Sequence, residues 1–195
     1  MDIKERIIWE SLRLFSLKGF LSTSTQDVMK AAKISKGGLY NYFQSKEDLL
    51  MAVLTEARRI WRKNNLNGLD EVERPIDKVK KLLKNYQNRY LKDERNFPGG
   101  CIFITLSVEL DDQKPALSRE IGKGWAGLKK MIKRFLDQAQ KKGEIRKDVK
   151  TRELTEMLLA GLLGTSVIYG LEKSKSGIDR SITSLIAYLE SLENK

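Results

Sequence analysis

The sequence predicts an all-α protein. Apolar residues recur at helical spacing from Ile3 to Leu192, no segment alternates with period two between hairpin turns, and the 195 residues include only three prolines. Hydrophobic residues make up 41% and charged residues 32%, a balance that suits a folded helical chain with a real core.

Ile3, Ile7, Ile8, Leu12 and Phe15 share one helical face, and Gly19 after Lys18 reads as a stop. Ser24, with Asp27 three residues on, is a capping-box start for a short second helix carrying Val28, Ala31 and Ala32. Ser35 caps a third helix that opens Lys36, Gly37, Gly38. Ser45 with Asp48 begins a fourth, which runs to about Asn64. Residues 64–74 form a break, and Pro75 suits the first helical position ahead of Ile76, Val79, Leu82, Leu83, Tyr86 and Tyr90. A second break at 96–100 precedes an apolar run at 101–110. Helices at about 115–142, 151–172 and 177–192 complete the chain.

The net charge is +11 with an isoelectric point near 9.6, which favours an anionic partner such as nucleic acid or a membrane surface. Solvated lysine faces are the plainer explanation. Residues 1–50 hold eight bases and six acids, so the surplus lies downstream and names a class of partner without naming a site.

Histidine is absent and Cys101 is the single cysteine. That removes internal disulfides, Ser-His and Cys-His nucleophile pairs, and His-bearing metal sites. No metal or cofactor is expected. With no compact acid/base constellation, neither is catalysis. The N-terminus lacks the apolar run of a signal peptide, and the longest apolar stretch, 157–171, is 15 residues against the roughly 20 of a bilayer span. A cytoplasmic protein with no membrane partner is the expectation.

The pair Gly37-Gly38 needs a reason, because a glycine inside a helix costs about 1 kcal/mol relative to alanine. In a first turn the backbone N–H groups are unpaired and carry the positive end of the helix dipole, so two missing side chains let an anion or base edge approach. Lys36 adds charge, Tyr40 and Tyr42 add hydroxyls, and Leu39 and Phe43 can anchor the opposite face. The pair is also compatible with a tight joint between packed helices, and the tyrosines with ordinary half-buried aromatics. A nucleotide-binding loop is excluded, since the glycines follow a helix and lack the required lysine spacing.

Residues 7 to about 54 resemble the helix-turn-helix domain of TetR-type bacterial transcriptional regulators. The likeness rests on Phe15, Gly19-Phe20, Ser24, Asp27-Val28, Ala31-Ala32, Ile34 through Gly37, Leu39-Tyr40, Tyr42-Phe43 and Ser45 through Leu49. It implies that Ser24 docks the second helix on double-stranded operator DNA, with Gln26 beside it. Ser35, Lys36, Gly37 and Gly38 would approach the major groove, and Tyr40, Tyr42 and Lys46 would hold phosphates. Asn41 either reads an adenine or is idle. Lys33 stands at the turn where the family usually has glycine, and Gly38 and Asn41 replace commoner residues.

The resemblance further implies a homodimer, probing DNA through residues 1–48 and binding an unidentified apolar effector through 49–195. In the last two helices Leu158, Gly161 and Leu162 with Ile182, Leu185 and Leu189 suit a four-helix dimer seam, or packing within one subunit. Tyr86, Tyr90, Phe97 and Phe103, with Cys101, Leu106 and Trp125, either line a ligand cavity or form plain core. Glu109, alone in an apolar run, either orients a ligand or pairs with a lysine. The helix from Ser45 to about Asn64 is the expected lever between the two parts. The rival readings are an all-helical interaction or lipid-carrying module with basic faces, and an enzyme that uses carboxylates or a lysine.

Overall fold

Helix α1 (Ile3–Lys18) starts at a capping box. Asp2 accepts from the Glu5 N–H at 2.7 Å while the Glu5 carboxylate accepts from the Asp2 N–H at 3.0 Å. The computed structural model describes residues 1–110 and 114–194. Ser24 and Asp27 form the same reciprocal box at the start of α2 (Thr25–Ala32). Lys33 then turns the chain with φ 52° and ψ 54°, a left-handed conformation that costs a non-glycine residue about 1–2 kcal/mol. Ser35 caps α3 (Lys36–Tyr40), and Ser45 caps α4 (Lys46–Asn65). Leu39 and Phe43 are buried with Phe15, Val28, Leu49 and Leu50. The first turns of α4 thus complete the core under the short helices.

Pro75 occupies the first turn of α5 (Pro75–Asn85). The chain continues through a π-helical segment, Tyr86–Leu91, where the sequence predicted an uninterrupted α-helix. Then follow α6 (Ile102–Leu110), α7 (Pro115–Lys141), α8 (Thr151–Glu172) and α9 (Lys175–Ser191). Among the described residues there is no strand, only an isolated antiparallel bridge between Ile145 and Glu193. Beside that bridge the Glu193 carboxylate accepts from Lys80 and Arg74, both at 2.7 Å, which fastens the C-terminus to α5.

In the layout, α1 packs on α2, α4 and α6, α5 lies on α7 and α9, and α8 lies between α7 and α9. At 22 residues, α8 meets the length and hydropathy of a bilayer span, which the 15-residue count did not suggest. The difference is one of extent, because the helix begins six residues before that stretch, at Thr151, and ends one residue after it, at Glu172. Its position on α7 and α9 is that of a packed helix with one apolar face left over.

Candidate functional site

The short helices present one continuous polar face. Ser24, Gln26, Ser35, Lys36, Gly37, Tyr40, Asn41 and Tyr42 are all exposed, and Gly38 is half-buried. The Ser24 and Ser35 hydroxyls are occupied in capping, accepting from the N–H groups of Asp27 and Gly38, both at 3.1 Å. Asp27 is held below its ordinary value of 3.8, mainly by the hydrogen bond from the Ser24 backbone N–H. Lys46 sits with its ammonium 4.2 Å from the centre of the Phe20 ring, and burial lowers its pKa.

Nothing among the described residues requires the two glycines. A Cβ added at Gly37 would come no closer than 4.0 Å to Ser35 Oγ, and one at Gly38 would lie 3.4 Å from the Ile34 Cβ, an ordinary contact. Neither residue has a positive φ. The pair is therefore not a joint between helices. What it leaves bare is the outward face of the first turn of α3.

A cavity of about 860 Å³ opens to solvent between α4 and α7. Trp61 and Leu66 from α4 and its C-terminal edge, Phe103 from α6, and Ile121, Trp125, Leu128 and Met131 from α7 are its apolar lining. The Phe103 and Trp125 rings meet edge to face at 6.3 Å. Trp125 Nε1 donates to Ser107 Oγ at 3.0 Å, and Ser107 Oγ donates to the Phe103 carbonyl at 2.6 Å, so α6 and α7 are tied beside the cavity.

Only two of the sequence-predicted ligand residues, Phe103 and Trp125, line this space. Tyr86, Tyr90, Phe97, Cys101 and Leu106 lie away from it in the core. Their rings satisfy one another, with Tyr86 5.3 Å from Tyr90 and Tyr90 5.0 Å from Phe97. Tyr86 Oη shares a 2.7 Å hydrogen bond with Ser166 Oγ, and Tyr90 Oη lies 3.4 Å from Cys101 Sγ. Burial pushes the Cys101 thiol up and both phenols well up, the opposite of an activated sulfur. Glu109 is also elsewhere. Its carboxylate accepts from the Phe20 and Leu21 N–H groups at 2.6 and 2.8 Å, in the turn between α1 and α2.

Residues 7–53 match the family described as bacterial regulatory proteins, tetR family, and residues 75–185 match the tetracyclin repressor-like C-terminal domain. The chain belongs to the TetR family. It is a DNA-binding transcriptional regulator of the helix-turn-helix type, with a C-terminal domain of the ligand-binding class. A curated relative, the HTH-type transcriptional repressor DhaR of Mycobacterium sp. (strain GP1), is 25% identical over 98% of this chain and 95% of its own. A TetR transcriptional regulator from Chloroflexus aurantiacus J-10-FL shares the fold, with a TM-score of 0.89 at 24% identity over 98% of this chain and 96% of that one. So does a TetR family regulator, CifR, complexed with double-strand operator DNA, at 18% identity and a TM-score of 0.77, covering 96% and 95% of the two chains.

On this TetR scaffold α6 joins the reading head to the cavity. At its N-terminal side Ser16 Oγ accepts from the Gly99 N–H at 3.1 Å and donates to the Gly100 carbonyl at 3.2 Å. A Cβ at Gly99 would overlap the Ser16 carbonyl, so the chain crosses α1 in backbone contact. At the other end stands the Glu109 clamp, packed so closely that a Cβ at Gly19 would fall 2.5 Å from a Glu109 oxygen. Lys114 adds an ion pair to Glu47 at 2.9 Å, joining α7 to the start of α4.

The α8 and α9 residues expected at a dimer seam are largely used within the subunit. Leu158, Leu162, Ile182 and Leu189 are buried in the single chain, and a Cβ at Gly161 would lie 2.9 Å from Leu185 Cδ2. Gly161 thus lets α8 approach its own α9. The apolar surface left exposed on α8 is another stripe: Met157, Ala160, Val167, Ile168 and Leu171, with open space at Gly164. Tyr188 adds to it from α9. Sequence periodicity could not select this stripe, because α8 is apolar on every face.

Proposed function

We propose that the chain is a dimeric repressor that reads its operator through α3 and leaves it when a small apolar molecule enters the α4–α7 cavity. The observation that carries the DNA-reading half is the bare first turn at Gly37 and Gly38. The fold has no need of either glycine, so their place on the exposed face is explained by close approach of a nucleic-acid edge. Lys36, Tyr40, Asn41 and Tyr42 surround it, supplying a charge and polar groups for phosphates and bases.

The unit of DNA binding is residues 1–48 in this reading, closed by the first turns of α4, and 49–195 respond to the effector. The exposed α8 stripe supports a dimer seam formed with the partner's α8 and α9, which spaces two reading heads for two half-sites. Two levers run from cavity to head. One is α4, which carries Trp61 and Arg62 at the cavity and Leu49 and Leu50 under the head. The other is α6, with Phe103 at the cavity and Glu109 on the α1–α2 turn. An effector that binds better when these helices shift lowers operator affinity by its preference for that state.

The test is fluorescence anisotropy with DNA from upstream of the gene and scrambled DNA of equal length, at two salt concentrations. Selective, salt-weakened binding that Lys36→Ala with Tyr40→Ala abolishes is expected. Equal binding to both DNAs at every salt concentration would leave only bulk charge acting and would count against the reading.

A further inference from the structure

The cavity is not uniformly apolar, and its asymmetry identifies a class of ligand. Seven basic side chains stand around it against two carboxylates, Glu120 and Asp137. Those two are already engaged, Glu120 by Arg58 and Lys123 and Asp137 by Lys133. Among the described residues Arg62, Lys130, Arg134 and Lys141 have no carboxylate partner, although each lines the cavity, and Arg134 instead lies over the Phe135 ring. Below this rim the wall is tryptophan, phenylalanine, isoleucine, leucine and methionine.

The α7 wall is also thinned. Gly124 and Gly127 both line the cavity, and a Cβ added at either would meet no atom within 4 Å. Two glycines inside a 27-residue helix weaken it by about 1 kcal/mol each relative to alanine, and among the described residues no packed neighbour calls for them. Their effect is to widen the cavity on its α7 side.

We propose that the α4–α7 cavity takes an amphipathic anion, an apolar chain or ring bearing one carboxylate. The apolar part lies over Gly124 and Gly127 between Trp61 and Trp125, and the carboxylate is held at the mouth by Arg62 and Lys130. Arg62 offers a planar fork suited to two carboxylate oxygens, and Lys130 a point charge. A cationic ligand would face an unbalanced field of its own sign, and a neutral one would leave the rim charges without use. This rests on the cavity being the effector site, and it narrows the apolar effector to an anion.

The experiment titrates the full-length protein with dodecanoate, dodecanol and dodecyltrimethylammonium, each below its micelle concentration, and follows the fluorescence of Trp61 and Trp125. Saturable binding of dodecanoate is expected, at least tenfold tighter than that of either other compound. Arg62→Gln with Lys130→Gln should remove that preference while binding of dodecanol stays unchanged. Gly127→Leu, with circular dichroism unchanged, should abolish saturation by filling the cavity. Dodecanol binding as tightly as dodecanoate, tighter binding of the ammonium compound, or no saturable binding of any of the three would overturn the proposal. Operator anisotropy run in parallel separates the two readings. Dodecanoate that binds selectively yet leaves the operator complex intact supports the anion site and removes its role as effector site.

Discussion

The carboxylate of Glu109 near the end of α6 accepts hydrogen bonds from the backbone N–H groups of Phe20 and Leu21, 89 and 88 residues away in sequence. It thus satisfies two donors of the α1–α2 turn, a segment inside the reading head. Phe103, on the same helix and two turns back, lines the cavity. Glu109→Ala is expected to lower stability by about 1–3 kcal/mol, as for the loss of charge-assisted hydrogen bonds. Hydrogen exchange should locate the effect, with faster exchange at residues 19–23 and unchanged protection in α8. Unchanged exchange at that turn would show that the clamp does not hold it.

The exposed and buried apolar positions of α8 predict opposite phenotypes. Ile168→Glu is expected to give a folded monomer by light scattering, because Ile168 is 47% exposed in the single chain. Leu158→Ala is expected to keep the dimer while destabilising the fold by roughly 2–5 kcal/mol, because Leu158 is fully buried. A dimer that persists in Ile168→Glu would move the seam off this stripe.

Cys101 is expected to resist thiol reagents in the native protein and to react at the ordinary rate once guanidinium unfolds it. Burial raises its pKa and Tyr90 covers it, so little thiolate forms near neutral pH. Rapid labelling of native protein by a disulfide reagent would contradict this.

Acid should loosen the reading head at the start of α2. The folded Asp27 carboxyl lies below its ordinary 3.8, so its stabilising effect is full above that value and disappears as pH falls through the lower, folded one. Asp27→Asn is expected to flatten the acid limb of a stability profile below about pH 4 while leaving a constant deficit at neutral pH. An acid limb identical to that of the unsubstituted protein would assign the transition to other carboxylates, such as Glu47 beside Lys114 or Glu193 beside Lys80.

The reading head was legible because its signals are local. Ser24 with Asp27, Ser35, and Ser45 with Asp48 mark three helix starts within 25 residues, and Leu39 with Phe43 marks the inner face. The cavity was not legible, since it joins Trp61 and Arg62 to residues about forty to eighty positions later. Gly124 and Gly127 read only as poor helix residues. Glu109 was visible as an odd acid, but its partners are backbone N–H groups of a distant turn, which no side-chain pattern encodes. The tyrosines around Cys101 show the converse, since a core aromatic and a cavity aromatic have the same spacing.

The most direct test of the account is operator affinity of Gly37→Ala with Gly38→Ala, measured by anisotropy beside a thermal melt. Both methyl groups fit within the fold, so the melting temperature should hold or rise, while operator affinity falls at least tenfold and binding to scrambled DNA changes little. Undiminished operator affinity in a folded double variant would mean that nothing approaches the bare turn of α3, and the DNA-reading face would have to be sought elsewhere.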